Sequence, residues 1–338
     1  MRTLLAVAVV VSGCASAAAD PKPVELDAHA RLAAPIQVES LTLLPIVAVD
    51  PPKEPDNLLV LDEAMPKKLV TIKEQDGGSV NNLELTNKAD QPLFLLAGEV
   101  ILGGRQDRII GSNTIIPPKT TQSVPVFCVE HGRWSGATNE FTTGKALAHG
   151  RLRGHASFDT QQDVWNEVAS KNAERKTTSS TDTYRKVAQQ QSDGTLKTWQ
   201  TKVDAAIAKL PADDRKNLVG FAVAVDGKVA TIDRFTSPAL FGKLQNKLVQ
   251  SYITEAIDVK STGKAAPTAA DVKSFIADAD KAKEEAAYET TAAQSQVQKG
   301  HYAAKAKVMY KPAKKAGDMS PTPAAAPPAT VYQNYEAR

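Results

Sequence analysis

The chain reads as an α+β protein: an antiparallel β-sandwich-like part, then a helical region, then a closing β-hairpin plus helix. Three observations carry that expectation. Short apolar runs separated by Gly, Pro and Asn crowd residues 36–134. Beyond Trp134 apolar residues return at helical spacing. Asp226-Gly227 then stands between two apolar runs, the turn chemistry of a two-residue hairpin. With 338 residues, 42% hydrophobic and 23% charged, composition is ordinary for a globular chain of one large or two small domains. The 41 basic and 38 acidic residues nearly cancel, so no nucleic-acid partner is expected.

The N-terminal segment has its own pattern. Arg2 gives a short positive start, and residues 4–11 form an apolar run too short to cross a bilayer. Val11-Ser12-Gly13-Cys14 resembles the lipobox of bacterial lipoproteins. Residues 1–13 are therefore expected to be a signal peptide cut before Cys14, whose thiol takes lipid; an ordinary signal peptide is the alternative. Several acyl chains on one cysteine hold a protein to a membrane where a single chain does not. The expected location is thus the cell envelope, lipid-anchored. Ala15, rather than Asp, favours the outer membrane if the source is a diderm bacterium. Cys128 is left without a partner for an internal disulfide.

Residues 14–35 are Ala, Pro and charge in no periodic order and read as a tether. Residues 36–43 alternate as a strand, and short apolar runs follow at 58–61, 69–72, 80–85, 93–97, 108–110, 114–116 and 123–129. Residues 160–170 place Val164, Trp165 and Val168 on one helical face; residues 196–210 do so with Trp199, Val203 and Ile207 and stop at Pro211. The hairpin spans 218–232, and Pro238 can open a helix whose stripe is Leu240, Leu244, Leu248 and Tyr252. This body is expected to end at 258. Residues 259–310 read as a helical, basic extension, with six lysines and no acid between Lys299 and Lys315. That run would either attract anionic envelope polymer or lipid, or be a solvated tail. Residues 311–338 are Pro/Ala-rich and expected to be disordered.

Polar groups concentrate between Gly98 and Trp134. Paired glycines, Gly103 and Gly104, precede Arg105-Gln106-Asp107-Arg108, where a turn over a ligand or a bulge is plausible. The two-residue period puts Gln106 and Arg108 on one face; farther on, Cys128 and Glu130 share a face and His131 lies opposite. Arg108 and Arg133 offer planar forks for carboxylate or phosphate. Glu130 and Glu99 could hold those forks or accept from a ligand hydroxyl, and Trp134 could stack on a ring. The alternative is a structural Arg–Glu network with Trp134 capping the core. Cys128 lacks a well-placed base and reads as a small buried hydrophobe. Five scattered histidines form no HxxxH or HxH pair, so no metal is expected. Phosphate-loop, dinucleotide and serine-elbow motifs are missing, so no cofactor is expected.

GEVILGGRQDR, PVFCVEHGRW, QQDVWNEV, then VGFAVAVDGK, IDRF and LFGKLQNKLVQSY resemble, in that order, the ARPP-1 domain over residues 36–258. That family is named for its genomic association with ADP-ribosylglycohydrolases and rhodanese-phosphatases. The resemblance implies a Gly-Gly-x-Gln-x-Arg motif on Gly103, Gly104, Gln106 and Arg108. A Cys-x-Glu-x-Gly-Arg-Trp motif falls on Cys128, Glu130, Gly132, Arg133 and Trp134, and a helical Gln-x-x-Val-Trp element on Gln161 or Gln162 with Val164 and Trp165. His131 departs from the more usual Gln. The resemblance implies a family, not a mechanism. The leading expectation is a membrane-tethered protein binding an anionic or nucleotide-like small ligand through Gln106, Arg108, Glu130, Arg133, Trp134 and Glu99. The alternatives are a hydrolase using Glu130 or Glu99 as general acid or base, and a non-catalytic envelope structural protein.

Overall fold

The computed structural model describes residues 24–51, 58–75, 79–136, 138–191, 194–311 and 329–338. Cys14 and the expected signal peptide lie outside them.

The first part of the chain is mostly strand: β1 (Val24–Asp27), β2 (Ala30–Leu32), β3 (Ile36–Val38), β4 (Leu41–Ala48), the one-turn α1 (Leu61–Ala64), β5 (Val70–Glu74) and β6 (Asn82–Asn87). It continues through β7 (Leu93–Leu95), β8 (Glu99–Gly103), β9 (Arg108–Ile110), β10 (Thr114–Ile116), β11 (Thr120–Cys128) and β12 (Phe141–Leu147). Helices α2 (Gly150–Phe158), α3 (Gln161–Glu174), α4 (Arg185–Gln190), α5 (Gly194–Ala208) and α6 (Ala212–Lys216) follow. The hairpin β13 (Leu218–Val225) and β14 (Lys228–Phe235) leads into α7 (Pro238–Ala256). The end comprises α8 (Ala269–Asp280), β15 (Glu284–Glu289), β16 (Ala293–Lys299), β17 (Ala303–Tyr310) and β18 (Ala329–Ala337). The α+β class, the antiparallel strands, the middle helices and the closing hairpin plus helix stand as expected.

One sheet has ten strands in the order β1-β2-β4-β13-β14-β18-β17-β16-β15, with β3 also paired to β4. Strand β4 is buried at every position because both faces of the sheet are covered. By the two-residue period, Leu43, Val47, Phe221 and Val223 meet α5 and α7 in the largest core, whereas Leu44, Ile46, Ala222 and Ile232 face α8. Helix α7 begins where Ser237 accepts the Leu240 N–H at 3.1 Å and Pro238 occupies the first turn.

The second sheet has six strands, β12-β8-β9-β11-β6-β5, and its two edges meet. Lys73 bridges Glu140, and the Glu74 N–H donates to the Asn139 carbonyl at 2.9 Å. The sheet thereby curls into a barrel around Ile72, Leu85, Ile101, Ile110, Val126 and Phe141. Away from that bridge β5 and β12 splay around a hollow of about 550 Å³. Antiparallel alternation brings the ends of β5, β8 and β11 and the starts of β6, β9 and β12 to the bridged rim, where Cys128 pairs with Arg108 and Phe141 with Gly103.

Three expectations about the ends of the body are corrected. Residues 24–32, read as tether, form β1 and β2, because Leu26, Ala30 and Leu32 are buried against the ten-stranded sheet. Residues 259–310 are not simply helical: α8 ends at Asp280 and β15 to β17 follow, with alanines taking the inward positions that larger apolar residues usually mark. Residues 329–337, placed in a disordered tail, form β18 between β14 and β17, burying Val331, Tyr332 and Tyr335. The lysine run also changes meaning. Lys305, Lys307 and Lys311 pair with Asp280, Glu284 and Glu289 at 2.6, 2.8 and 2.6 Å, acids that lie outside the run in sequence.

Candidate functional site

The bridged rim collects most of the polar residues singled out above. Gly103 and Gly104 end β8 with φ of +130° and +50°, a left-handed excursion that favours glycine. A Cβ on Gly104 would sit 2.6 Å from Glu74 Oε1, so the glycine lets this turn press against β5.

Asp107 and Glu130 anchor the turn. Asp107 is fully buried, and Arg185 grips it through Nε and Nη2 at 2.8 and 2.6 Å, while the Thr183 hydroxyl donates to it at 3.0 Å. Glu130 accepts the Asp107 N–H at 3.0 Å and holds the Nε and Nη2 of Arg133 at 2.9 and 2.7 Å. Burial pushes the Glu130 carboxyl up, but the hydrogen bonds from Arg133 and the Asp107 N–H outweigh it and leave the group below its ordinary value. Arg133 also donates to the Gly104 and Ser135 carbonyls, each at 2.9 Å. A hollow of about 420 Å³ opens here, lined by Gly104, Glu130, Arg133, Thr181, Thr183 and Arg185 among others.

Arg108 lies behind that wall and is fully buried. Its Nη1 donates to Gln106 Oε1 at 2.9 Å, and Gln106 in turn donates to the Glu130 carbonyl at 2.7 Å. Arg108 Nε and Nη2 have no hydrogen-bond partner among the described residues. Burial is the main cause holding this guanidinium below its ordinary value. Trp134 covers it with the ring centroid 6.0 Å away; its other cationic neighbour is Arg105 at 5.7 Å. The indole is 49% exposed, so it roofs the rim rather than capping the core.

Cys128 is buried beside Arg108, and burial pushes its thiol up to about 11. Its backbone N–H and carbonyl are both met by the side chain of Gln161, at 2.8 and 2.9 Å. Gln161 thus faces the rim strand, while Gln162 bonds Asn166 on the exposed side of α3. His131 stacks edge-on against Trp165 at 4.6 Å and takes no part in the hollow.

Glu99 does not join this group. It is buried on β8, where it pairs with Lys247 at 2.7 Å and accepts the Leu96 N–H at 3.0 Å. Burial pushes its carboxyl up. Asp107, Thr183, Arg185 and Glu74 belong to the rim and were not singled out from the sequence. Asp107 sits inside the recognised motif, whereas the others lie far from it along the chain. A larger hollow, about 730 Å³, lies elsewhere beside Arg234, but that arginine is already paired with Asp27. Among the described residues no three His, Cys, Asp or Glu are grouped to hold a metal ion.

The family model of the ARG and Rhodanese-Phosphatase-superfamily-associated Protein domain, ARPP-1, matches residues 29–317. The chain belongs to the ARPP-1 family. No curated protein and no solved structure matches it. The ARPP-1 match begins after β1, takes in the whole barrel and stops before β18.

Proposed function

We propose that this ARPP-1 chain is an exported, lipid-anchored binding protein of the cell envelope that takes a small anion at the mouth of its barrel. One observation carries the ligand reading. Arg108 is a buried cation with no carboxylate in ion-pair reach among the described residues, and the Nε–Nη2 edge it leaves open is the same edge by which Arg185 holds Asp107. Burying a charge without a partner costs several kcal/mol. An anion docked on that edge would remove the penalty through two parallel charge-assisted bonds. The exposed face of Trp134 suits a ring attached to the anion, which keeps a nucleotide-like ligand within the reading.

The hydrolase alternative has less support. A general acid or base works best with a pKa near the working pH. Glu130 is instead held ionised by Arg133, and Glu99 is committed to Lys247. The envelope-structural alternative gains nothing from the lysine run, in which Lys305, Lys307 and Lys311 are already paired with acids.

The test compares wild type with Arg108→Met in thermal unfolding, with and without phosphate-bearing ligands. Removing a buried, unpaired cation should raise the melting temperature of the unliganded protein and abolish the ligand-induced rise. The wild type should be stabilised by about 2.7 kcal/mol at 100 times Kd. If Arg108→Met instead melts lower and ligands shift both proteins alike, Arg108 is a structural residue and the site assignment is wrong. Anchoring is tested separately by Cys14→Ser, which should release the protein from membranes.

A further inference from the structure

Arg108 is not alone at the rim in having unmade bonds. Glu74, the last residue of β5, accepts the Arg105 N–H through Oε1 at 2.8 Å, but its Oε2 is buried and has no partner among the described residues. Glu74 shares its parity with Val70 and Ile72, Arg108 with Ile110, and Cys128 with Val126, so all three side chains project to the inside of the barrel at its bridged end, where the Glu74 charge acts on the other two. Glu74 and Arg108 nevertheless do not bond each other. Two N–H donors and one carboxylate oxygen are thus left without partners among the described residues at the same end of the barrel.

The Cys128 thiol does not fill that role, since its sulfur is directed to the Val80 carbonyl at 3.7 Å. A ligand that satisfies both groups must accept from the open edge of Arg108 and donate to Glu74. A carboxylate, a sulfate or a phosphodiester has the acceptors but carries no proton at neutral pH, and Glu74 would meet it with like charge. A terminal phosphate that retains one proton meets both requirements: its charged oxygens accept from Nε and Nη2, and its P–OH donates to Glu74.

We propose that the rim site selects a singly protonated terminal phosphate, inorganic phosphate or a monoester, and that Glu74 is the residue that rejects oxyanions without a proton. This rests on the anion reading of Arg108 given above. No bond of the ligand is made or broken; the proton stays on the phosphate. Access to Arg108 requires the Trp134 indole to shift, so indole emission reports occupancy.

The experiment titrates the mature protein by calorimetry and tryptophan emission with inorganic phosphate and with sulfate, in wild type and Glu74→Gln. Wild type should prefer phosphate by about tenfold or more, the factor expected for one unmade charged hydrogen bond. Glu74→Gln should bring the two anions within a few-fold, mainly by admitting sulfate. A second arm needs only wild type: methyl phosphate should bind more weakly as pH rises from about 5.5 to about 8, across its second ionisation near 6. Dimethyl phosphate should not bind at either pH. If neither phosphate nor sulfate binds wild type, the anion reading itself falls. If both bind equally, or dimethyl phosphate matches methyl phosphate, the role of Glu74 is overturned while the anion site stands.

Discussion

Glu336 offers a sharp test of how the ten-stranded sheet holds its last strand. It is 3% exposed on β18, accepts from Asn334 at 3.0 Å, and lies 3.9 Å from Arg153, whose guanidinium is already committed to Asp233 at 2.9 and 2.6 Å. Burial first, and then the charge of Asp233, push the Glu336 carboxyl up to about 8 against the attraction of Arg153. The unfolded chain ionises this group near its ordinary 4.5. The folded protein therefore keeps a proton that the unfolded chain has lost. The stability tied to Glu336 is full below the ordinary value and is lost as pH rises through the folded one. At pH 7, about 2.5 pH units above the ordinary value, the loss is on the order of 3 kcal/mol. Glu336→Gln imitates the protonated form at every pH. Urea unfolding should find the variant more stable than wild type near neutral pH, with the gap closing toward about pH 5. Asp233, whose shift runs the other way, is present in both proteins and cancels. A gap that does not vary with pH, or a wild type that is the more stable at pH 8, would refute the reasoning.

Three further outcomes follow from other contacts. Gly98→Ala should cost about 2–4 kcal/mol, since φ is +89° and the new methyl would sit 2.5 Å from Arg153 Cγ; chemical denaturation measures it. Gln161→Ala should lose about 1–3 kcal/mol through the two backbone bonds to Cys128, and Gln162→Ala should change stability by less than about 0.5 kcal/mol; equal effects would mean the register is wrong. Cys128 should resist alkylation at pH 8 in the folded protein and react on unfolding, because the thiol is buried and titrates at about 11. Rapid labelling of the native protein would contradict that.

Features with local causes were legible. The Asp226-Gly227 hairpin and the helix opened by Ser237 and Pro238 depend on residues within a few positions of one another. So does the parity that sends Gln106 and Arg108, and later Glu130, toward one rim. What escaped depends on partners far along the chain. Nothing near Glu99 announces that Lys247 will take its carboxylate, nor near Asp107 that Arg185 will. Glu74 lies outside every motif and reaches the rim only because the sheet closes on itself at Lys73 and Glu140. The tail was misread by averaging: the Pro/Ala-rich stretch masks a nine-residue strand with two buried tyrosines.

The position of that strand sets an order on the life of the molecule. β18 lies between β14 and β17 although it is far from β14 along the chain, so until it docks the large sheet exists only as two unjoined halves, with the Arg153–Asp233 pair missing Tyr332. Such long-range pairing slows folding.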